Sequence, residues 1–201
     1  MSTGAPFWDR KYGRPEYVYG TEPNRFLVDH VTGCLKPGGE VLTLGEGEGR
    51  NAVWLAGQGY VVTAVDYSRP ALEKLHILAR SQGVEVCSYL SDVMDFELGE
   101  ARWDAVVLLH MHLPPQKRSV LHRRIVKALR PAGHLFLEAL RCDQFGRRSG
   151  GPERSELFYS AETLRRDFHD LAISRLVEED RFIESGEHRG WTSVINLIAR
   201  K

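Results

Sequence analysis

The chain has 201 residues, and 27 lysines plus arginines balance 27 aspartates plus glutamates. This length suits one domain with a sizeable core, and a neutral chain offers no global field that steers nucleic acid or an anionic membrane towards it. No stretch has the apolar character of a secretory signal or a membrane span. The three cysteines are far apart and lack metal-ligand spacing. We therefore expect reduced thiols, a cytoplasmic protein and no bound metal.

The first two thirds of the chain alternate between helical and strand patterns. Apolar spacing, proline and glycine signals predict helices at 23–35, 51–58, 68–82 and 114–129, and strands at 40–44, 60–65, 84–90, 103–109 and 134–140. The segments KPGG and RPAG, at 36–39 and 130–133, are typical of turns. This alternation predicts a parallel sheet covered by helices.

The last third follows a different pattern. A polar loop at 141–156 precedes a short helix at 160–168, and two strands at 172–183 and 191–199 are joined by the turn SGEHRG. Two strands joined in this way form an antiparallel hairpin. The sequence therefore predicts a parallel sheet with an antiparallel edge, in one domain that spans residues 1–201.

A glycine-rich turn follows the first predicted strand, in the stretch TLGEGEGRNA at 43–52. Such a turn between a strand and a helix usually binds an anion, because backbone N–H groups and the positive end of the helix favour negative charge. This turn instead carries two carboxylates, Glu46 and Glu48. GEGRNA also fits the dinucleotide pattern G-x-G-x-x-A, with Asp66 spaced to accept from a ribose hydroxyl.

Charge favours a cationic ligand over a dinucleotide. A pyrophosphate beside Glu46 would be repelled by about 4 kcal/mol at about 4 Å and an effective dielectric constant of about 20. The sulfonium of S-adenosylmethionine is a cation without phosphate. Glu48 is expected to be a solvated residue of the first helical turn. Glu46, between two glycines, is expected to lie near the ligand.

The chain resembles the class I S-adenosylmethionine-dependent methyltransferases. The stretch VLTLGEGEGRNAVWLAGQGYVVTAVDYS is similar to the family's first two motifs, YLSDVMDF to its third-strand motif, and LRPAGHLFLEA to the turn that opens its fifth strand. The segments GRN, GGP and YGTEPN resemble the small bacterial branch of tellurite-resistance and thiopurine-type enzymes. The resemblance implies a Rossmann-like sheet of seven strands, in the order 3-2-1-4-5-7-6 with strand 7 antiparallel.

The resemblance also implies a cofactor site for S-adenosylmethionine. In it, three glycines let the backbone approach the cofactor, Asp66 accepts from the ribose hydroxyls, and Asp92 accepts from the adenine amino group. The N-terminal aromatic segment, residues 1–22, is expected to close over this site. The implied cofactor-binding residues are Trp8, Tyr12, Gly45, Glu46, Gly47, Gly49, Arg50, Asp66, Tyr67, Ser68, Asp92 and Val93.

Two positions depart from the family pattern. Thr43 stands where the first strand usually carries an acid that orders the loop or the methionine ammonium, and Glu46 is the candidate substitute. Ala132 replaces the first glycine of a Pro-Gly-Gly turn, which is expected only to constrain that turn.

Two histidines end the fourth strand, in the sequence LLHMHLPP. Ligands bind outside the carboxyl ends of parallel strands, and an extended chain would point His110 and His112 the same way. His110 is the candidate general base, and a polar packing role for both residues stays open. The arginines and glycines of the loop at 141–156 suit a lid over an anionic or polar substrate, or a solvated surface loop.

The sequence thus predicts an S-adenosylmethionine-dependent methyltransferase that acts on S, O, N or a metalloid of a small molecule. It is expected to be a monomer or a weak homodimer, without a nucleic acid or membrane partner. A non-catalytic module that binds S-adenosylmethionine is the alternative from another class. A nucleotide-dependent oxidoreductase is a third interpretation, but it would need a substrate domain or a Tyr-x-x-x-Lys motif, and neither is present.

Overall fold

The computed structural model describes residues 5–183, 186–187 and 189–201. The helices are α1 (Ala5–Tyr12), α2 (Arg25–His30), α3 (Arg50–Gly57), α4 (Arg69–Ser81), α5 (Pro115–Ala128) and α6 (Ala161–Asp167). The strands are β1 (Glu40–Leu44), β2 (Val61–Asp66), β3 (Cys87–Leu90), β4 (Trp103–Leu109), β5 (Leu129–Leu140), β6 (Ala172–Ile183) and β7 (Gly190–Arg200). Residues 184, 185 and 188 lie outside the described residues, and the last two of them belong to the SGEHRG turn.

The strands form a seven-stranded sheet in the order β3-β2-β1-β4-β5-β7-β6. Strands β1, β2 and β3 pair in parallel, as do β4 and β5, whereas β7 runs antiparallel to both β5 and β6. The predicted order and the antiparallel seventh strand are therefore confirmed. The contacts divide the chain into two compact units, up to Phe96 and from Glu97 onwards.

The first unit is built on the buried strands β1 and β2, which α3 and α4 contact. The glycine turn at the end of β1 packs closely on α4. A Cβ at Gly49 would come within 2.6–2.9 Å of three atoms of Leu75, so only glycine fits at this position. This contact fixes the start of α3 against α4.

The second unit is built on β4, β5 and β7, which are almost wholly buried and mainly aliphatic. Helices α5 and α6 contact one another and pack on β5 and β6, respectively. Two polar residues break the apolar pattern in the centre of this sheet, since Glu138 in β5 and Asn196 in β7 are directly paired and fully buried. Buried polar groups in a central strand need partners.

One helix was missed, and three predicted elements differ from the structure. The missed helix is α1, because its residues carry no apolar run typical of a helix. The helix predicted at 23–35 ends at His30, and β3 begins only at Cys87. The predicted turn at 130–133 is an irregular part of β5, where the register with β4 shifts and Ala132 has a φ of 67°.

Candidate functional site

The glycine turn has the conformation that its sequence requires. Gly45, Gly47 and Gly49 have φ angles of 65°, 67° and 93°, in the left-handed region that other residues rarely adopt. The N–H of Gly45 donates to the carbonyl of Val65 at 2.8 Å, which continues the β1–β2 pairing into the turn. The turn is thus held at its first residue by β2.

Asp66, at the end of β2, holds the middle of the same turn. Its Oδ2 accepts from the N–H of Gly47 at 2.8 Å, and its Oδ1 accepts from the N–H of Ser68 at 2.9 Å. Burial raises the pKa of this carboxyl, the N–H groups of Ser68, Gly47 and Tyr67 oppose that rise, and Asp9 adds to it. A carboxylate has about four lone-pair positions, so the position that these three N–H groups leave open can accept from a ligand.

The two glutamates of the turn are structural in different ways. Oε1 of Glu46 accepts from the N–H groups of Asn51 and Ala52, at 3.1 and 2.8 Å, so this residue caps α3. Burial raises the pKa of Glu46 to about 7, against the opposing N–H groups of Ala52 and Asn51 and the charge of Arg50. Glu46 therefore orders the loop, which is one of the two roles of the acid that Thr43 replaces.

Glu48 is buried rather than solvated, contrary to the expectation. Its Oε1 pairs with Nζ of Lys74 at 2.7 Å, and its Oε2 accepts from the N–H of Val18 at 2.8 Å. Nζ of Lys74 also donates to the carbonyl of Glu16. Glu48 thus joins the glycine turn to α4 and to the N-terminal segment.

The described part of the N-terminal aromatic segment packs over the glycine turn. A Cβ at Gly47 would lie 2.9 Å from Oη of Tyr12, so the phenol rests directly on this glycine. Trp8 stacks on Tyr12 with ring centroids 5.3 Å apart, and Lys11 lies over the rings of Trp8 and Tyr19. Burial, Tyr19, Asp66 and Glu48 raise the pKa of Tyr12 far above its ordinary value, so the phenol remains neutral.

Three further contacts hold this segment in place. Oγ of Ser68 donates to Oδ1 of Asp9 at 2.8 Å instead of capping α4. Oη of Tyr17 donates to the carbonyl of Lys74. Arg50 reaches the carbonyls of Tyr19 and Glu22 at 3.4 and 3.5 Å, so this predicted cofactor residue also anchors the segment.

The predicted third-strand motif, which contains Asp92, lies close to Asp66 and Tyr67. Burial and the carboxylates of Asp66, Asp92 and Asp9 raise the pKa of Tyr67 to about 12, so the phenol lies among these three acids. Oδ1 of Asp92 accepts from the N–H of Met94, which closes a local turn, and Val93 is buried. The structure therefore brings Asp66, Tyr67 and Asp92 together.

These residues fit S-adenosylmethionine better than a dinucleotide. The oxygens of Asp66 suit ribose hydroxyls, and the glycine backbone at 45–49 permits close approach. The acids around Tyr67 would repel a pyrophosphate. The aromatic faces of Trp8 and Tyr12 suit a sulfonium cation. Sequence reasoning missed Asp9 and Lys74, which carry no motif and are recognised only through their contacts.

In the second unit, His110 is joined twice to Glu138. The backbone N–H of His110 donates to the carbonyl of Glu138 at 2.7 Å, and the imidazole Nε2 lies 2.9 Å from Oε1. The same Oε1 also accepts from Arg181 of β6. His110 has a φ of 53°, which is uncommon outside glycine and is often found at functional sites.

His112 does not point with His110, because the chain is no longer extended at His110. Nδ1 of His112 lies 2.9 Å from the carbonyl of Leu157, and its Nε2 accepts from the N–H of Leu140. Both ring nitrogens are therefore used by the fold. His112 fills the polar packing role that the sequence left open for it.

The loop after β5 is pinned to the hairpin. The side chain of Gln144 donates to Oγ of Ser149 and to the carbonyl of Gly150, and accepts from the N–H of Ser193. Arg147, expected in a lid, forms an ion pair with Asp180 at 2.8 Å. This structure gives the loop a fixed position on β7.

No group of three or more histidine, cysteine, aspartate or glutamate side chains within 5–183, 186–187 and 189–201 could hold a metal ion. Among these same residues, no helix is long and apolar enough to cross a membrane.

The fold and the site together define a class I methyltransferase. The family described as a methyltransferase domain matches residues 41–133. The ubiquinone biosynthesis O-methyltransferase of Alkalilimnicola ehrlichii is 30% identical over 205 aligned positions, which cover 96% of this chain and 74% of that protein. The chain therefore belongs to the S-adenosylmethionine-dependent methyltransferases, and S-adenosylmethionine is its cofactor.

Solved structures agree on the fold. TehB from Haemophilus influenzae superposes with a TM-score of 0.73 at 19% identity, covering 98% of this chain and 66% of that one. The N-methyltransferase NodS from Bradyrhizobium japonicum, in complex with S-adenosyl-L-homocysteine, gives a TM-score of 0.72 at 17% identity and covers 98% and 97%. At these identities, both likenesses show the fold alone.

Proposed function

We propose that this methyltransferase acts on a hydroxyl oxygen of a small molecule. The observation that carries the proposal is the imidazole of His110, which is 25% exposed and held against the buried carboxylate of Glu138. A hydroxyl needs a base as it attacks, whereas a thiolate or a metalloid lone pair does not. The 30% identical relative, an O-methyltransferase of ubiquinone biosynthesis, supports the same class of acceptor.

Residues around the glycine turn would hold the cofactor. Asp66 would accept from the ribose hydroxyls, Asp92 from the adenine amino group, and Trp8 and Tyr12 would cover the glycine turn. When bound, S-adenosylmethionine supplies a methyl group already activated by its sulfonium. The protein therefore contributes mainly orientation, which alone is worth roughly 7–11 kcal/mol.

We propose His110 as the base. His110 would take the proton of the attacking hydroxyl, a step worth typically about 10²–10⁴-fold in rate. Glu138 would hold the ring and stabilise the imidazolium that forms. His110 is expected to matter for turnover and not for cofactor affinity.

Two measurements test this function. Calorimetry with S-adenosylmethionine and with NAD, side by side, should show binding of the first alone. Release of S-adenosylhomocysteine should then be screened with catechol, dithiothreitol and tellurite as acceptors, and the fastest release is expected with catechol. Binding of NAD alone would overturn the cofactor assignment, and release with dithiothreitol or tellurite only would overturn the hydroxyl.

The His110→Ala variant separates the proposal from a non-catalytic module that only binds S-adenosylmethionine. With catechol, single-turnover rates of the variant should fall steeply while the calorimetric affinity for S-adenosylmethionine stays the same. Equal rates across the whole pH range would remove His110 from catalysis. A protein that binds the cofactor and releases no S-adenosylhomocysteine with any of the three acceptors would instead be the binding module.

A further inference from the structure

Tyr12 approaches the glycine turn with its hydroxyl. The residue is 7% exposed, and the position that a Cβ at Gly47 would take lies 2.9 Å from its Oη, 3.4 Å from Cζ and 3.9 Å from Cε1. The ring therefore meets the turn with its oxygen first. Trp8 stacks on this ring at 5.3 Å, and Val18 and Ala71 belong to the same buried cluster, so protein side chains pack around the ring.

The hydrogen of this hydroxyl is not used by the described part of the protein. Oη of Tyr12 makes no hydrogen bond to residues 5–183, 186–187 or 189–201. Oη of Tyr17, in the same N-terminal segment, instead donates to the carbonyl of Lys74 at 3.0 Å. Polar groups of buried side chains nearly always have a partner. A hydroxyl that points at the glycine turn without one is therefore a candidate contact of the cofactor.

The surroundings of the phenol keep the hydrogen on Oη. Burial and the neighbouring Tyr19 raise the pKa of Tyr12 far above its ordinary value, and so do the carboxylates of Asp66 and Glu48. The guanidinium of Arg50 acts in the opposite direction, so a cation also influences this position. The neutral phenol can thus donate to an anion, and the charge of Arg50 offsets part of the repulsion that Asp66 exerts on that anion.

Backbone donors around the turn are taken by the protein's own carboxylates. Glu46 accepts from two N–H groups at the start of α3, and Asp66 accepts from two more in and after the turn. Glu46 thus fills, from within the chain, the position where the start of a helix otherwise binds an anion. A buried charge without hydrogen bonds is costly. An anionic group of the cofactor therefore gains from a donor on a side chain.

We infer that Oη of Tyr12 donates a hydrogen bond to the methionine carboxylate of S-adenosylmethionine. This carboxylate is the anionic group of the cofactor and accepts without donating, so it gains most from a buried donor. The ribose hydroxyls need an acceptor, which Asp66 provides. Tyr12 thus acts through its oxygen and not through the face of its ring. This contact concerns the cofactor alone and is the same for any methyl acceptor.

Calorimetry with two ligands that differ in this carboxylate tests the contact. S-adenosylmethionine carries the group, whereas decarboxylated S-adenosylmethionine keeps the sulfonium, the amine, the ribose and the adenine. Tyr12→Phe removes one oxygen and preserves the ring. Its affinity for S-adenosylmethionine should fall roughly tenfold to a hundredfold, which is the worth of a hydrogen bond to a charged group. Its affinity for the decarboxylated form should stay within about twofold of the wild type, because the partner of the hydroxyl is missing there.

Two calorimetric results would overturn the assignment. If Tyr12→Phe weakens both ligands equally, the hydroxyl contacts another part of the cofactor. A matching loss with 5′-methylthioadenosine, which lacks the whole amino acid, would place that contact on the ribose or the adenine. If Tyr12→Phe binds both ligands as the wild type does, the hydroxyl donates to no group of the cofactor.

Tyr17→Phe is the matched control, because it removes a hydroxyl that does have a protein partner. Tyr17→Phe should lower the urea midpoint and keep the wild-type preference for the carboxylate, whereas Tyr12→Phe should keep the midpoint and lose the preference. A lower midpoint in Tyr12→Phe would mean that its hydroxyl is bonded within the protein. An equal loss of preference in both variants would trace the effect to the N-terminal segment as a whole, and either result would overturn the contact. No methyl acceptor is present, so failure of the proposed hydroxyl acceptor leaves these measurements unaffected.

Discussion

Replacing Asp66 by alanine tests the centre of the cofactor site. The carboxylate is 4% exposed and already accepts from two backbone N–H groups, of Gly47 and Ser68. A charge-assisted hydrogen bond to a ribose hydroxyl is worth ~1.5–3 kcal/mol, so affinity for S-adenosylmethionine should fall roughly tenfold to a hundredfold. The sequence alone suggested that the fold would suffer much less than binding.

The structure revises that second expectation. Two backbone donors lose their partner in Asp66→Ala, and each buried orphan costs about 1–3 kcal/mol unless water reaches it. We therefore expect the free energy of unfolding to fall by about 2–6 kcal/mol as well, towards the lower end where water reaches the donors. Urea unfolding measures this loss, and calorimetry below the unfolding transition measures the affinity.

Asp104→Ala serves as the control for Asp66→Ala. Asp104 lies in β4 with a partly exposed side chain that pairs with Arg130 at 2.7 Å. Such a surface pair contributes about 0–1 kcal/mol, so both affinity and stability should stay near those of the wild type. Affinity in Asp66→Ala within twofold of the wild type would refute the assignment of this carboxylate to the ribose.

Three other predictions concern the stability of the fold. Ala132→Gly should raise the free energy of unfolding by about 0.5–1 kcal/mol, because alanine is strained at a φ of 67°; an unchanged urea midpoint would contradict this strain. Lys74→Met should cost about 3–5 kcal/mol, since it leaves Glu48 buried without its counter-charge, and Glu48→Gln in the same background should recover part of it. The pKa of about 7 for Glu46 lies above its unfolded value, so the protonated form is favoured in the folded state and stability should fall as pH rises from about 4.5 to about 7. The fall is at most about 3 kcal/mol and smaller where solvent screens the carboxylate, and Glu46→Gln should abolish it in pH-dependent unfolding.

The strands were predictable because their residues follow simple local patterns, whereas their order was implied by the resemblance to the class I methyltransferases. The predicted bounds of β4 and β6, at 103–109 and 172–183, agree with the structure. These strands are continuous apolar or alternating runs, which depend on the local sequence alone. The glycine turn was predictable for the same reason, since three glycines at alternate positions after a strand are typical of a turn and permit left-handed backbone.

Side-chain roles that depend on distant partners were not predictable. Glu48 has the position of a solvated residue in a first helical turn, but Lys74 and Val18, 26 and 30 residues away, make it buried. Likewise, no sequence pattern near His110 predicts its contact with Glu138 or the contact of Glu138 with Arg181. Such contacts are set by strand pairing, which the local sequence does not specify.

The packing of the N-terminal aromatic segment on the glycine turn also has a consequence during translation of the chain. The N-terminal segment is synthesised before its partners Ser68 and Lys74, which follow the residues that contact them by 57–59 positions. At about 5–20 residues per second, these aromatic side chains wait roughly 3–12 s before the surface that receives them has been made. During that interval Phe7, Trp8 and Tyr12 are accessible to chaperones and to neighbouring nascent chains, although they later pack on the glycine turn.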